Sequence, residues 1–366
     1  MPYKHYALPD RPVRCDLWDR LAAETRPIVV YGMGNGADKL FDRLNTYGVT
    51  VSDVFASDGF VRGHSFRGYP VLSFSEIREK YADFVILLSF ATSRAEVLEM
   101  LSDIDGKYEM YIPDMPVAGA EEYFDRELYN THYDEILSAY DALADEKSRD
   151  TFAAVVNYKL SGKMHCLTDC FATAEEIYSL LPAEKIESML DLGAYNGDTV
   201  RECMKFFPKL KSAIAVEPDP KTYKRLLKFA ASAEGIELTT VNAAAFDREG
   251  EGEFLSSGNR NSSVGSTASF EHKTARIPLV RADSLTPCVD YIKYDVEGAE
   301  WEALRGSSGL ISGKYPALLI SLYHRSRDLF GIVNYIREKY PEYRLYIRRT
   351  LCVPAWEIAL IAVREG

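Results

Sequence analysis

Met189-Leu190-Asp191-Leu192-Gly193-Ala194-Tyr195-Asn196-Gly197-Asp198-Thr199 decides how this chain folds. An apolar strand runs into a glycine turn, and a polar helix start leaves it. Gly193 and Gly197 let the backbone take conformations that other residues avoid and come close to a ligand. Asp191 stands at the strand's end, where open α/β sheets bind their ligands. The turn is not a dinucleotide fingerprint, because its glycines lie four apart and it carries acids. Asp191 and Asp198 would repel a pyrophosphate and attract a cation such as a sulfonium nucleoside with an amino-acid ammonium.

Three further marks follow in chain order. Ala215-Val216-Glu217-Pro218-Asp219 comes one strand–helix–strand step later. An acid such as Glu217 can there accept hydrogen bonds from both hydroxyls of a ribose. Val241-Asn242-Ala243-Ala244 ends the next strand; its small residues leave room for a flat base, to which Asn242 can hydrogen-bond. Tyr291-Ile292-Lys293-Tyr294-Asp295-Val296-Glu297-Gly298-Ala299-Glu300 ends a fourth, with Asp295 and Glu297 toward the ligand. Glu300 is expected on the solvent face of the helix beyond. Taken singly, strand-end glycines and acids are ordinary turn chemistry. Four in this order point to a class I methyltransferase fold. The residues expected to hold its cofactor are Asp191, Gly193, Tyr195, Asn196, Gly197, Glu217, Asn242, Ala243 and Asp295.

Outward from this core, the N-terminal third repeats the device of strand, glycine turn, helix, strand, acid. Strands are predicted at Ile28–Tyr31, Val51–Ala56, Phe84–Ser89 and Tyr108–Ile112, with helices between them and a turn-rich loop at Gly63–Pro70. Gly32-Met33-Gly34-Asn35-Gly36-Ala37 is compatible with phosphate binding at a helix N-terminus, and Asp58 falls where a ribose-binding acid would be. Four strands are too few for a full dinucleotide site. From Ala120 to Leu181 the apolar residues recur at helical spacing with no strand among them. The fold class is therefore α/β, with two Rossmann-like domains joined by a helical connector. The small parallel-sheet domain spans residues 1–118, the connector 119–181, and the methyltransferase fold 182–366.

The run from Tyr291 to Gly306, YIKYDVEGAEWEALRG, strongly resembles the signature of the FkbM family of methyltransferases. LDLGAYNGDT fits the same family's first motif. The tail fits as well, through Ile320-Ser321-Leu322-Tyr323-His324-Arg325, Asp328-Leu329, Tyr346-Ile347-Arg348-Arg349 and Trp356-Glu357. The resemblance covers about Glu175 to Val363. It implies S-adenosylmethionine as cofactor and O-methylation of a sugar, glycan or small natural product. It also implies that Asp295, Glu297 and His324 lie near the acceptor. IVVYGMGNGADKLFDRL and GYPVLSFSEI resemble small Rossmann-like domains attached to sugar-modifying enzymes, which implies a nucleotide or nucleotide-sugar ligand there.

Methyl transfer to a barely acidic hydroxyl calls for a base or a metal. His324 is the first choice as base, since an ordinary imidazole is partly neutral near pH 7. Asp295 is the other, either alone or sharing a divalent cation with Glu297 or another acid. A site without metal is preferred. The polar stretch Ser256–Gly265 is read as a loop that contacts the acceptor or closes over the site. The competing function is a nucleotide or nucleotide-sugar binding module with a methyltransferase fold that does not turn over. An NAD-dependent oxidoreductase ranks last, for want of a catalytic set in the N-terminal third.

Composition limits the partners. A formal net charge of −12 disfavours nucleic acid, whose phosphates need a concentrated basic surface. No apolar run is long enough to span a membrane. The N-terminal stretch lacks a signal peptide's apolar core, so a cytoplasmic location is expected, with the six cysteines as reduced thiols. A small-molecule or glycan acceptor and a homo-oligomer complete the expected partners.

Overall fold

Short apolar runs bounded by glycine turns become the central strands of two sheets. Ile28–Tyr31, Val85–Leu88 and Tyr291–Tyr294 are buried at every position, as parallel strands covered by helices on both faces must be. These elements are seen in a computed structural model that describes residues 4–61, 63–118, 122–255, 263–264 and 274–364.

The N-terminal sheet has six strands, ordered Ser65–Phe66, Tyr69–Ser73, Asp53–Ala56, Ile28–Tyr31, Val85–Leu88, Glu109–Tyr111. All pairs are parallel except the first, a hairpin. The expected loop at Gly63–Pro70 is thus corrected to a two-residue hairpin turn with two strands, and the count of four strands rises to six. Arg67 and Gly68 both take positive φ (49° and 86°), as such a turn requires.

The second sheet has seven strands, ordered Tyr343–Arg349, Ile358–Arg364, Ala317–Ser321, Tyr291–Tyr294, Ser188–Leu192, Ser212–Val216, Glu237–Val241. The last five are parallel; Ile358–Arg364 runs antiparallel between Ala317–Ser321 and Tyr343–Arg349. From Ser188–Leu192 the chain first builds outward to Glu237–Val241, then crosses to Tyr291–Tyr294. The strand order therefore reverses between Ser188–Leu192 and Tyr291–Tyr294, and a crevice opens at the carboxyl ends of that pair. A small third sheet, built from Ala244–Ala245, Gly250–Leu255, Ser263–Val264 and Thr274–Val280, was not expected. The stretch Ser256–Gly265, read as an acceptor loop, lies outside the described residues apart from Ser263–Val264.

Between the sheets lies the helical segment. Its longest helix, Glu146–Ser161, is buried almost all round, which fits a helix enclosed on every side. It reaches the segment that follows the N-terminal sheet's last strand through Lys159 Nζ to Asp114 Oδ2 at 2.7 Å. It reaches the larger sheet through Arg348 Nη2 to Asp145 Oδ2 at 2.6 Å. One hydrophobic core runs through all three parts, from Phe55 and Phe84 through Phe152 to Ile292 and Leu345. The N-terminal part also touches the crevice region: Ala118 N–H donates to His324 O at 2.9 Å, and Thr92 and Val353 exchange two backbone hydrogen bonds.

Candidate active site

At the reversal point lies a cavity of about 550 Å³. Its first wall is the glycine turn. Gly193 has φ +87°, and a Cβ there would stand 1.8 Å from Asp295 O, so the turn is pressed against the end of the neighbouring strand. Gly197 has φ +84° and lies against the ring of Phe229, 2.2 Å from where its Cβ would be. Arg201 Nη2 donates to Asn196 O at 2.7 Å, fixing the turn from the helix that follows. Asn196 and Gly197 thus shape the turn without lining the cavity, whereas Gly193 and Tyr195 line it.

Glu217 closes the second wall. It is 6% exposed, and its carboxylate accepts from Tyr195 N–H at 2.9 Å and Asp219 N–H at 2.8 Å. Burial outweighs those two donors and pushes its pKa up to about 8. The amide of Asn242, expected to meet a base, instead donates to Glu217 O (2.8 Å) and Pro218 O (3.1 Å). It ties adjacent strand ends together. Ala243 is 2% exposed and packs in the core; Ala244 and Ala245 face the cavity in its place.

Asp191 stands behind this wall, 0% exposed, with neither carboxylate oxygen hydrogen-bonded among the described residues. Lys293 Nζ lies 3.8 Å from its Oδ1. Burial raises Asp191 to about 6. Lys293 links this acid to the next: its Nζ donates to Asp295 Oδ2 at 3.2 Å. Ser321 Oγ and Tyr323 OH donate to Asp295 Oδ1 at 3.1 and 3.0 Å. Burial works against the charge on Asp295, but Lys293 and His324 overcome it and hold the pKa near about 2.

Glu297, Glu300 and His324 form a cluster next to Asp295. His324 is 0% exposed; Glu300 Oε1 lies 2.9 Å from its Nδ1, and Glu297 Oε2 lies 3.4 Å from its Nε2. Burial alone would lower the imidazole's pKa, but Glu300 and Glu297 raise it well above its ordinary value. His324 therefore sits enclosed behind the cavity wall with a raised pKa, and does not face an acceptor as a half-neutral base would. Glu300 also departs from expectation. It is 0% exposed, because its Oε1 accepts from Val296 N–H at 3.0 Å and closes the turn before its own helix. Glu297 does line the cavity, and burial raises its pKa.

Among the described residues, five non-glycine residues have positive φ, and three of them, Tyr195, Glu297 and Glu357, line this one cavity. Backbone strain of this kind persists where the surroundings impose it, and it gathers at functional sites. Lys293, Ser321, Tyr323 and Glu357 were given no role in the sequence reading. Lys293 carried a usable signal, since a charged residue in an otherwise buried strand needs a partner.

The glycine turn of the smaller sheet is engaged in packing. A Cβ on Gly36 would stand 2.2 Å from Ser89 O. The carboxylate of Asp58, expected to meet a ribose, accepts from Ser75 Oγ at 2.6 Å and Ser75 N–H at 3.2 Å.

A glycine turn, a buried acid ending the second strand and one strand running antiparallel between two others near the sheet's edge define the class I methyltransferase fold. Residues 191–349 match the family model described as the methyltransferase FkbM domain. The crystal structure of methyltransferase FkbM from Methylobacillus flagellatus KT matches with a TM-score of 0.68 at 19% identity, over 98% of this chain and 94% of that one. At that identity the likeness shows the fold, and its extent includes the smaller sheet and the helical segment. Fibrillarin from Aeropyrum pernix, in complex with natively bound S-adenosyl-L-methionine, matches at 15% identity and a TM-score of 0.34, over 52% of this chain and 74% of that one. Precorrin-6y C5,15-methyltransferase from Geobacter metallireducens GS-15 matches at 12% identity and a TM-score of 0.33, over 54% and 96%. No curated protein matches the chain in sequence. Among the described residues, no helix is long and apolar enough to cross a membrane.

Proposed function

We propose that the chain is an S-adenosylmethionine-dependent methyltransferase that methylates a hydroxyl of a sugar, glycan or small natural product. The observation that carries this reading is Glu217, a buried acid at the end of the second strand, facing the same cavity as Gly193 and Tyr195. The donor set suits the cofactor: Glu217 accepts from ribose hydroxyls, Ala244 and Ala245 admit a flat base, and Asp191 and Asp295 favour positive charge. When bound, the cofactor supplies a methyl carbon activated by a sulfonium. Catalysis belongs to residues 182–366, with 119–181 as connector and 1–118 as an accessory domain.

The chain's own part is alignment and proton removal. Alignment of two reactants can lower a barrier by about 7–11 kcal/mol. Asp295, fixed by Lys293, Ser321 and Tyr323, accepts a hydrogen bond from the acceptor and orients it. With a pKa near about 2 it is a poor proton acceptor. Glu297 is better matched, because burial raises its basicity and it lines the cavity. We assign it the acceptor's proton, a role that typically contributes 10²–10⁴-fold. His324, behind it, keeps the carboxylate oriented.

Calorimetry with S-adenosylmethionine and S-adenosylhomocysteine tests the cofactor. A screen of hydroxylated acceptors for release of S-adenosylhomocysteine, with and without chelator, tests the reaction. No heat with either nucleoside, together with binding of a nucleotide sugar, would reverse the proposal in favour of a binding module.

A further inference from the structure

Three polar side chains converge at His324 without satisfying one another. One ligand atom each from Asp295, Glu300 and His324 all lie within 4.8 Å of one another. Oxygen atoms stand 2.9 Å (Glu300 Oε1) and 3.6 Å (Asp295 Oδ1) from the two ring nitrogens. Yet among the described residues neither ring nitrogen finds a hydrogen-bond partner, nor does Glu300 Oε2. All three of these atoms are fully buried. An ion would take only one of the two ring nitrogens, with one oxygen from each carboxylate within reach of it. Ligands on one six-coordinate ion with bonds of about 2.1 Å are about 4.2 Å apart at most, close to the 4.8 Å that bounds these separations.

The surroundings resemble those of a metal site. Ligating carboxylates are normally oriented by outer hydrogen bonds. Asp295 has the hydroxyls of Ser321 and Tyr323, and Glu300 has Val296 N–H. The ammonium of Lys293 engages Asp295 through Oδ2, leaving Oδ1 as the oxygen turned toward His324. Access exists, because Asp295 and Glu297 line the cavity while His324 and Glu300 form the layer behind.

We infer that Asp295, Glu300 and His324 form a binding site for one divalent cation of the kind that accepts mixed imidazole and carboxylate ligands, such as Mn²⁺. The imidazole would ligate in its neutral form, releasing any ring proton, and the ion with Lys293 would then balance the buried acids. The ion would stand beside Glu297 at the cavity wall, where a bound hydroxyl would become more acidic. This reverses the preference for a metal-free site drawn from sequence.

The test uses the full chain, freed of metal by chelation and titrated with Mn²⁺ alone, so its outcome is independent of whether S-adenosylmethionine binds. Calorimetry is expected to give one Mn²⁺ per chain. Pulsed paramagnetic resonance on the unmodified protein is expected to show ¹⁴N coupling from a directly bound imidazole. Glu300→Gln, which keeps shape but removes charge, should weaken binding by more than about 100-fold, beyond the 10–100-fold typical of losing an outer partner. An Asp38→Asn, Asp42→Asn control on the N-terminal helix Asn35–Thr46 should leave binding unchanged. No stoichiometric Mn²⁺ at millimolar concentration, Mn²⁺ without ¹⁴N coupling, or Glu300→Gln binding as the parent does would each overturn the inference.

Discussion

The pKa of Glu217, near about 8, makes a quantitative prediction for cofactor binding. A free glutamate titrates near 4.3. The folded chain therefore holds a proton on Glu217 that the unfolded chain has lost across the window between these values. Stability falls as pH rises through that window, by up to about 1.4 kcal/mol per unit. A cationic nucleoside with two ribose hydroxyls needs the ionised carboxylate. At pH 7 roughly one molecule in ten carries it, and at pH 6 roughly one in a hundred. Apparent affinity scales with that fraction. The dissociation constant for S-adenosylmethionine should fall about tenfold from pH 6 to 7, about fivefold more by pH 8, and level off above pH 9. Binding at pH 7 should release about 0.9 proton, measurable by calorimetry in two buffers of different ionisation enthalpy. Glu217→Gln should bind weakly with a flat profile and release no such proton, which separates Glu217 from titration of the ligand itself. It should also melt at a higher temperature than the parent at pH 8.5, where the parent carries a buried charge. A flat affinity profile in the parent, or unchanged binding by Glu217→Gln, would refute the reasoning.

Other perturbations probe the remaining walls. Asp191→Ala should abolish binding of S-adenosylmethionine with the circular dichroism spectrum retained; intact binding would remove this acid from the site. Gly193→Ala should destabilise the fold by about 3 kcal/mol or more in urea unfolding, since the added Cβ meets a backbone oxygen at positive φ. A stability within about 0.5 kcal/mol of the parent would mean the turn sits more loosely than described. His324→Ala should cost about 3–5 kcal/mol, because it leaves Glu300 buried without its counter-ion, and turnover should fall with it. Unchanged turnover would remove His324 from the mechanism.

The strands around the reversal point were legible because each is a short apolar run ending in glycine or acid, too short for a buried helix. Tyr291–Tyr294 matched to the residue. The hairpin at Ser65–Phe66 and Tyr69–Ser73 was missed because its strands are short and partly exposed, so Arg67-Gly68 read as loop and not as the turn that pairs them. The small third sheet was missed for a related reason. Gly250–Leu255 opens Gly-Glu-Gly-Glu, a pattern with little apolar alternation to mark a strand.

The site was legible in its residue types and less so in their orientation. A one-dimensional pattern says that Asp295, Glu297, Glu300 and His324 are near one another, but it does not say which of them sees solvent. That depends on Gly298, whose φ of +98° turns the chain so that Glu300 folds back under Val296. A Cβ on Gly298 would also come within 2.6 Å of the Cβ of Ala118, so the N-terminal part packs directly onto this turn. The orientation of the acids is therefore set by a contact between segments far apart in sequence. Had His324 faced the cavity, its neighbours would have been a substrate and water, and its pKa would have stayed near the ordinary value. Enclosed by Glu300 and Glu297 it does not reach the cavity, and the group left to accept a proton there is the glutamate in front of it.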